Sequence, residues 1–161
     1  MIIIDKSADA RLVETLNEMS DQREGWQLII FHFSQLLEDY KSDYQIRIAV
    51  NLAHELLQPF DGGIYTLANG DIAILSRSLP NATVNKLVFQ LRYLYMDDPL
   101  SYLPDGSENP AFLSTFLLED ETQFKQCLAM CNKQMILARR GEQASQPVLH
   151  AALNMTSTDE A

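Results

Sequence analysis

Positive charge is scarce in this chain: 12 lysines and arginines stand against 22 aspartates and glutamates, a formal net charge of −10. So acidic a chain has no electrostatic footprint for a phosphate backbone or an anionic membrane surface, which sets aside nucleic-acid and membrane-surface binding. Cysteine is scarcer still, with only Cys127 and Cys131. Four apart in a helical stretch, they share one helix face and read as small core hydrophobes, not as a disulfide framework or a metal site. That usage suits the cytoplasm. No apolar run approaches the ~20 residues of a membrane-spanning helix. The opening Met1-Ile-Ile-Ile-Asp5 is too short, and lacks the basic flank, for a signal peptide. Metal-ligand spacings and internal repeats are missing too. No Gly-rich loop opens a helix, since Gly62-Gly63 precedes a strand. His54 and His150 lack sequence neighbours for a nucleophilic constellation. Neither a cofactor nor a metal is expected.

What is present suits one domain: 161 residues, 47% apolar and 21% charged, enough to bury a sizeable core. Leu12, Val13, Leu16 and Met19 follow helical spacing and predict an amphipathic helix over 9–23, closed by Gly25. Trp26–Ser34 is almost continuously apolar and suits a central strand covered on both faces. Leu36, Leu37 and Tyr40 suggest a short helix. A longer one follows Ser42-Asp43, with Ile46, Ala49, Val50, Ala53, Leu56 and Leu57 on its buried face and Pro59 at its end. Leu79-Pro80-Asn81 opens another, with Val84, Leu87, Val88, Leu91 and Tyr95 as its buried stripe. Residues 97–110 are rich in turn formers and read as an irregular loop. Phe112–Leu118 is a second strand-like run, and Asp120 is placed to cap a last helix. From Arg139 the pattern turns polar, predicting a tail or linker over 139–161.

Between the third and fourth of these helices lie two β-prone runs, Ile64–Ala68 and Asp71–Leu75, around Asn69-Gly70. Asn-Gly predicts a two-residue type I′ hairpin, because both central residues of that turn need positive φ. The order of elements implies an α/β or α+β sandwich.

That order, with an Asn69-Gly70-Asp71 hairpin tip, resembles the GGDEF (diguanylate cyclase) family over about Trp26–Ala138. The segments Arg47-Ile-Ala-Val-Asn51 and Leu91-Arg-Tyr-Leu-Tyr-Met-Asp-Asp-Pro-Leu100 resemble divergent members that precede EAL phosphodiesterase domains in bacterial cyclic di-GMP signalling. The resemblance implies a palm-like nucleotidyl cyclase fold, a mostly antiparallel sheet with helices around it. It divides the chain into an arm (1–25), a degenerate GGDEF-like domain (26–138) and the tail (139–161). It also implies lost catalysis. Asn69, Gly70 and Asp71 stand at the first three motif positions, but Ile72 replaces the acid that would hold a metal against a triphosphate, and isoleucine cannot coordinate a hard cation. At the first strand's end, His32 and Ser34 stand where the family has acids. The family's Arg-x-x-Asp product site falls on Gln58–Asp61 or Phe60–Gly63, and neither register has the arginine.

The function expected from this is a non-catalytic regulatory or dimerisation module in cyclic di-GMP signalling. Its partners would be a second copy or a tethered or separate EAL-type phosphodiesterase domain. The face Leu12, Val13, Leu16 and Met19 is the expected interaction surface. The alternative is a GTP sensor without catalysis, binding weakly at Asn69, Gly70 and Asp71. Asp71 is equally well explained by local turn hydrogen bonding. Asp97 and Asp98 read as solvated loop acids. Arg47 and Arg92 are expected to pair with acids of the chain itself.

Overall fold

The computed structural model describes residues 1–154, with side-chain surroundings through Gly141. A five-stranded mixed sheet forms the middle layer, with strand order β1-β3-β4-β2-β5. Its strands are β1 (Ile2–Ile4), β2 (Trp26–Phe31), β3 (Gly62–Thr66), β4 (Ile72–Arg77) and β5 (Leu113–Leu117). β3–β4, β4–β2 and β2–β5 pair antiparallel; β1 runs parallel to β3 at one edge. The helices are α1 (Ala8–Glu18), α2 (Asp43–Leu57), α3 (Asn81–Leu94) and α4 (Glu121–Asn154). This is the α/β class that the alternation of elements implies, and β2-α2-β3-β4-α3-β5 forms a split βαβ arrangement.

Side chains alternate across each strand, and the interior strands feed two separate cores. Ile29, Phe31, Ile64, Ile72 and Ile74 face α2 and α3 with Leu57, Leu87, Leu91 and Tyr95. Leu28, Ile30, Tyr65, Ala73 and Leu75 face α1 and α4 with Leu12, Leu16, Phe124 and Cys127. Burial on both faces explains why β2 reads as an unbroken apolar run.

Several expectations need correction. The opening residues form β1, which three-residue length and lack of alternation hide from periodicity. Leu12, Val13, Leu16 and Met19 are all buried inside the chain, where α1 packs on the sheet and on α4. That amphipathic face is core, not a docking surface. α1 ends at Glu18, and Gly25 (φ +78) instead shapes the entry to β2. In place of a short helix, residues 33–40 hold two single 3₁₀ turns. α4 runs through Arg139 to Asn154, so the expected tail is helical over 139–154; residues 155–161 lie outside the described residues.

The hairpin exists, but its turn is longer than two residues. Leu67 donates to the Asp71 carbonyl at 2.9 Å, leaving a three-residue loop, and Gly70 donates to the Leu67 carbonyl at 3.0 Å. Only Gly70 has positive φ, +99°. This is a type I turn followed by a glycine in the left-handed region, the three-residue solution to the same closure. The extra residue lets Asp71 turn back across the hairpin toward β2.

Candidate functional site

Two strand ends meet beneath α1 and α4. His32 follows β2, held by its N–H donating to the Phe112 carbonyl at 2.9 Å. Asp71 precedes β4 and is buried. Its Oδ1 accepts from the Ser34 N–H at 2.8 Å, and its Oδ2 from Asn69 Nδ2 at 3.2 Å. Asn69 Oδ1 in turn accepts from the Asp71 N–H at 2.9 Å. The loop and the β2 end are thus fastened through one carboxylate. Asp9 of α1 joins them, accepting from the Ala68 N–H at 2.9 Å.

The His32 ring spans the gap to β5. Nε2 lies 2.7 Å from Ser114 Oγ, and Nδ1 lies 3.6 Å from Asp71 Oδ2. Beside a carboxylate, the ring proton is assigned to Nδ1, so Nε2 accepts from the Ser114 hydroxyl. Burial on its own would raise the Asp71 pKa. The His32 ring and the Ser34 contacts outweigh it, and the carboxyl titrates below its ordinary range. Asp71 therefore stays ionised at neutral pH.

Asp71, His32 and Ser114 stand in the order of orienting acid, base and nucleophile. Sequence reasoning missed this line because Ser114 reaches the site only through the pairing of β5 with β2, opposite Ile30. The carboxylate–imidazole distance is too long for a hydrogen bond, and Ser114 does not line the neighbouring cavity.

That cavity, of about 280 Å³, lies between the hairpin, α1 and α4. Asp9, His32, Asp71 and Gln134 provide its polar wall; Leu12, Ile30, Leu67 and Met130 provide much of the apolar one. Among the described residues, neither lysine nor arginine lines it. On the other side of the hairpin tip, a groove of about 780 Å³ runs beside α2, lined by Lys41, Arg47, Asn51, Asn69 and Gly70 among others. The expected nucleotide residues thus divide: Asp71 and Asn69 face the acidic cavity, and Asn69 and Gly70 the groove.

Comparison of the chain with family models, with curated proteins and with solved structures gave no match. The site is therefore read from its own chemistry. Ile72, next to Asp71, is buried in the α2/α3 core. Among the described residues, no three His, Cys, Asp or Glu side chains are arranged to hold a metal ion.

Several of the remaining candidates have structural partners. Asp98 is not solvated: it is 2% exposed, accepting from the Leu37 N–H through Oδ2 and the Leu100 N–H through Oδ1, each at 2.8 Å. Asp97 is exposed. Among the described residues, buried Arg92 has no carboxylate in salt-bridge range; it donates to the Ser101 and Asn109 carbonyls and lies 4.6 Å over the Phe112 ring. The exposed acid Glu108 acts on its charge from further away. Arg47 is exposed on α2. His54 Nε2 lies 3.1 Å from the Met1 carbonyl. Both cysteines are buried and free, and the hydrogen bond with Cys127, then burial, pushes the Cys131 thiol pKa up. Such a thiol is inert as a nucleophile.

Proposed function

We propose that the chain is a non-catalytic regulatory module of bacterial cyclic di-GMP signalling, working by protein contact with a second copy or with an EAL-type phosphodiesterase domain. The observation that carries this reading is the self-sufficiency of the strand-end site. A phosphoryl-transfer centre holds carboxylates in reserve for metal and substrate. Here Asp71 is spent on Ser34 and Asn69, and the next position is a core isoleucine. The site serves as a clasp between the hairpin and β2. Control of a partner by such a module is a difference in its affinity for that partner's active and inactive states.

The test has two parts. With GTP and Mg²⁺ the purified chain should form no cyclic di-GMP. Added to an EAL phosphodiesterase, it should change the rate of cyclic di-GMP hydrolysis. Product formation in the first assay, or an unchanged rate in the second, overturns the reading.

One observation favours the second reading, a GTP sensor. The groove beside α2 joins the hairpin tip to the cations of Lys41 and Arg47. The acidic cavity does not favour it, because a triphosphate there would meet Asp9 and Asp71 with no fixed cation among the lining residues. Calorimetry with GTP separates the two. Micromolar binding lost in Arg47→Ala would install the sensor; no heat up to millimolar GTP leaves the contact module.

A further inference from the structure

Three large apolar side chains stand out of the α2/α3 layer in helical register: Phe89 (61% exposed), Tyr93 (63%) and, just past the end of α3, Met96 (52%). Two more are brought to the same end. The Asp98 carboxylate holds the backbone of Leu37, and the Tyr95 hydroxyl donates to the Gln45 carbonyl at 3.1 Å, beside Tyr44. Leu37 and Tyr44 are 52% and 67% exposed. Elsewhere the exposed large hydrophobics lie on the sheet edges, at Ile2, Ile3 and Leu117, at Leu103 or on α4. Aromatic residues with fixed backbones are the groups that anchor protein interfaces. Buried Arg92 and Asp98 fasten the surrounding loop by hydrogen bonds to its backbone, which lowers the ordering cost of presenting the anchors.

The rim decides what they are presented to. Glu38, Asp39, Asp43 and Asp97 are all exposed around this end. Lys41 is already paired with Glu38 at 3.3 Å, Arg47 lies one turn further along α2, and the exposed Lys86 stands one turn before Phe89, away from the acidic end. A second copy would bring the same acids face to face, on a chain of net charge −10, and like charges across an interface oppose association. We propose that this end of α3 docks a protein segment of the opposite character: an amphipathic surface with an apolar centre and a Lys/Arg rim. Resting on the contact-module reading, the proposal names that module's docking surface.

The probe is a pair of fluorescent 18-residue amphipathic helical peptides with the same leucine face, one with a Lys/Arg polar face and one with a Glu polar face, titrated by anisotropy against the whole chain. The basic peptide should bind and the acidic one should not. The double variant Phe89→Ser/Tyr93→Ser, which leaves every charge in place, should weaken binding about tenfold or more, as expected for removal of two aromatic anchors. Leu117→Ser, on the β5 edge, should leave it unchanged. Circular dichroism of each variant verifies folding, and the exposure of all three side chains makes them tolerable substitutions. Equal binding by the double variant would mean that charge alone attracts the peptide, and overturns the surface. So does an absence of binding. A concentration-dependent dimer in sedimentation that the double variant abolishes would assign the face to a second copy and overturn the partner chemistry. Failure here is separable from failure of the broader reading. If the double variant still shifts the phosphodiesterase rate, the module stands and this surface falls; if the wild-type chain shifts nothing, the module itself falls.

Discussion

At the scale of single residues, the structure depends on carboxylates that serve backbone N–H groups and are not reserved for substrates. Asp71 is the clearest. Its folded pKa is depressed below the ordinary 3.8, so the stabilisation it supplies is complete above that value and is lost as pH falls through the folded pKa. Thermal melts taken from pH 7 down to about 2.5 should therefore show a steep acid limb, below the ordinary carboxylate range. Asp71→Asn should flatten that limb and lower stability at pH 7 by about 1–3 kcal/mol. An acid limb of unchanged slope would show that the clasp does not contribute. Asp98→Ala should cost about 2 kcal/mol in urea denaturation, because the buried Leu100 N–H and the part-buried Leu37 N–H lose their acceptor. Gly62 carries a different constraint. A Cβ there would lie 1.9 Å from the Leu75 carbonyl oxygen, at φ +132°. Gly62→Ala should cost more than about 4 kcal/mol, among the largest single-residue effects; a near-neutral result would mean that the β3–β4 pairing can shift.

At the scale of elements, what could be read from sequence was whatever one element states by itself. The apolar run of β2, the 3–4 spacing of α2 and α3 and the Asp120 cap each encode a local preference. Asp120 Oδ1 indeed accepts from the Gln123 N–H at 3.1 Å, and the structure adds a second cap at Ser42, whose Oγ accepts from the Gln45 N–H at 3.2 Å. Asp120→Ala should thus cost about 1 kcal/mol, read as a small fall in melting temperature. Illegible features were those set by a second element. Three residues cannot announce a strand such as β1 until β3 offers an edge. Asn69-Gly70 signals a tight turn, but whether it closes on two residues or three depends on where Asp71 finds its partner, and that partner is Ser34. Ser114 joins His32 only through strand register. The candidate site was half legible for this reason: the positions were visible in order, while the bonds that satisfy them were not.

At the scale of the whole molecule, amphipathicity proved ambiguous about which surface an apolar stripe meets. Leu16 shows the difference. On an external dimer face, Leu16→Asp would weaken association and leave helix content intact. Fully buried between α1, the sheet and α4, it should instead destabilise the fold by about 4 kcal/mol or more, since an unpaired carboxylate enters an apolar core. Far-ultraviolet circular dichroism and a urea midpoint distinguish the outcomes; a native spectrum and an unchanged midpoint would refute the packing of α1. The outward stripe of α3 carries the same kind of pattern, and its Phe89, Tyr93 and Met96 are exposed among the described residues. Burial, not periodicity, separates the two.

The two cores also differ in how they can be assembled in time. α2 and α3 are near neighbours in the chain and can meet early, over β3 and β4 between them. α1 and α4 are separated by about a hundred residues, and the entropy of closing so long a loop must be met before their contacts repay it. The layer that shelters the His32–Asp71 clasp is thus the later one to form and the earlier one to open. Amides of α1 should exchange with solvent through partial openings that leave β2 and β4 protected. Truncations such as Leu16→Ala should then speed unfolding far more than they slow folding.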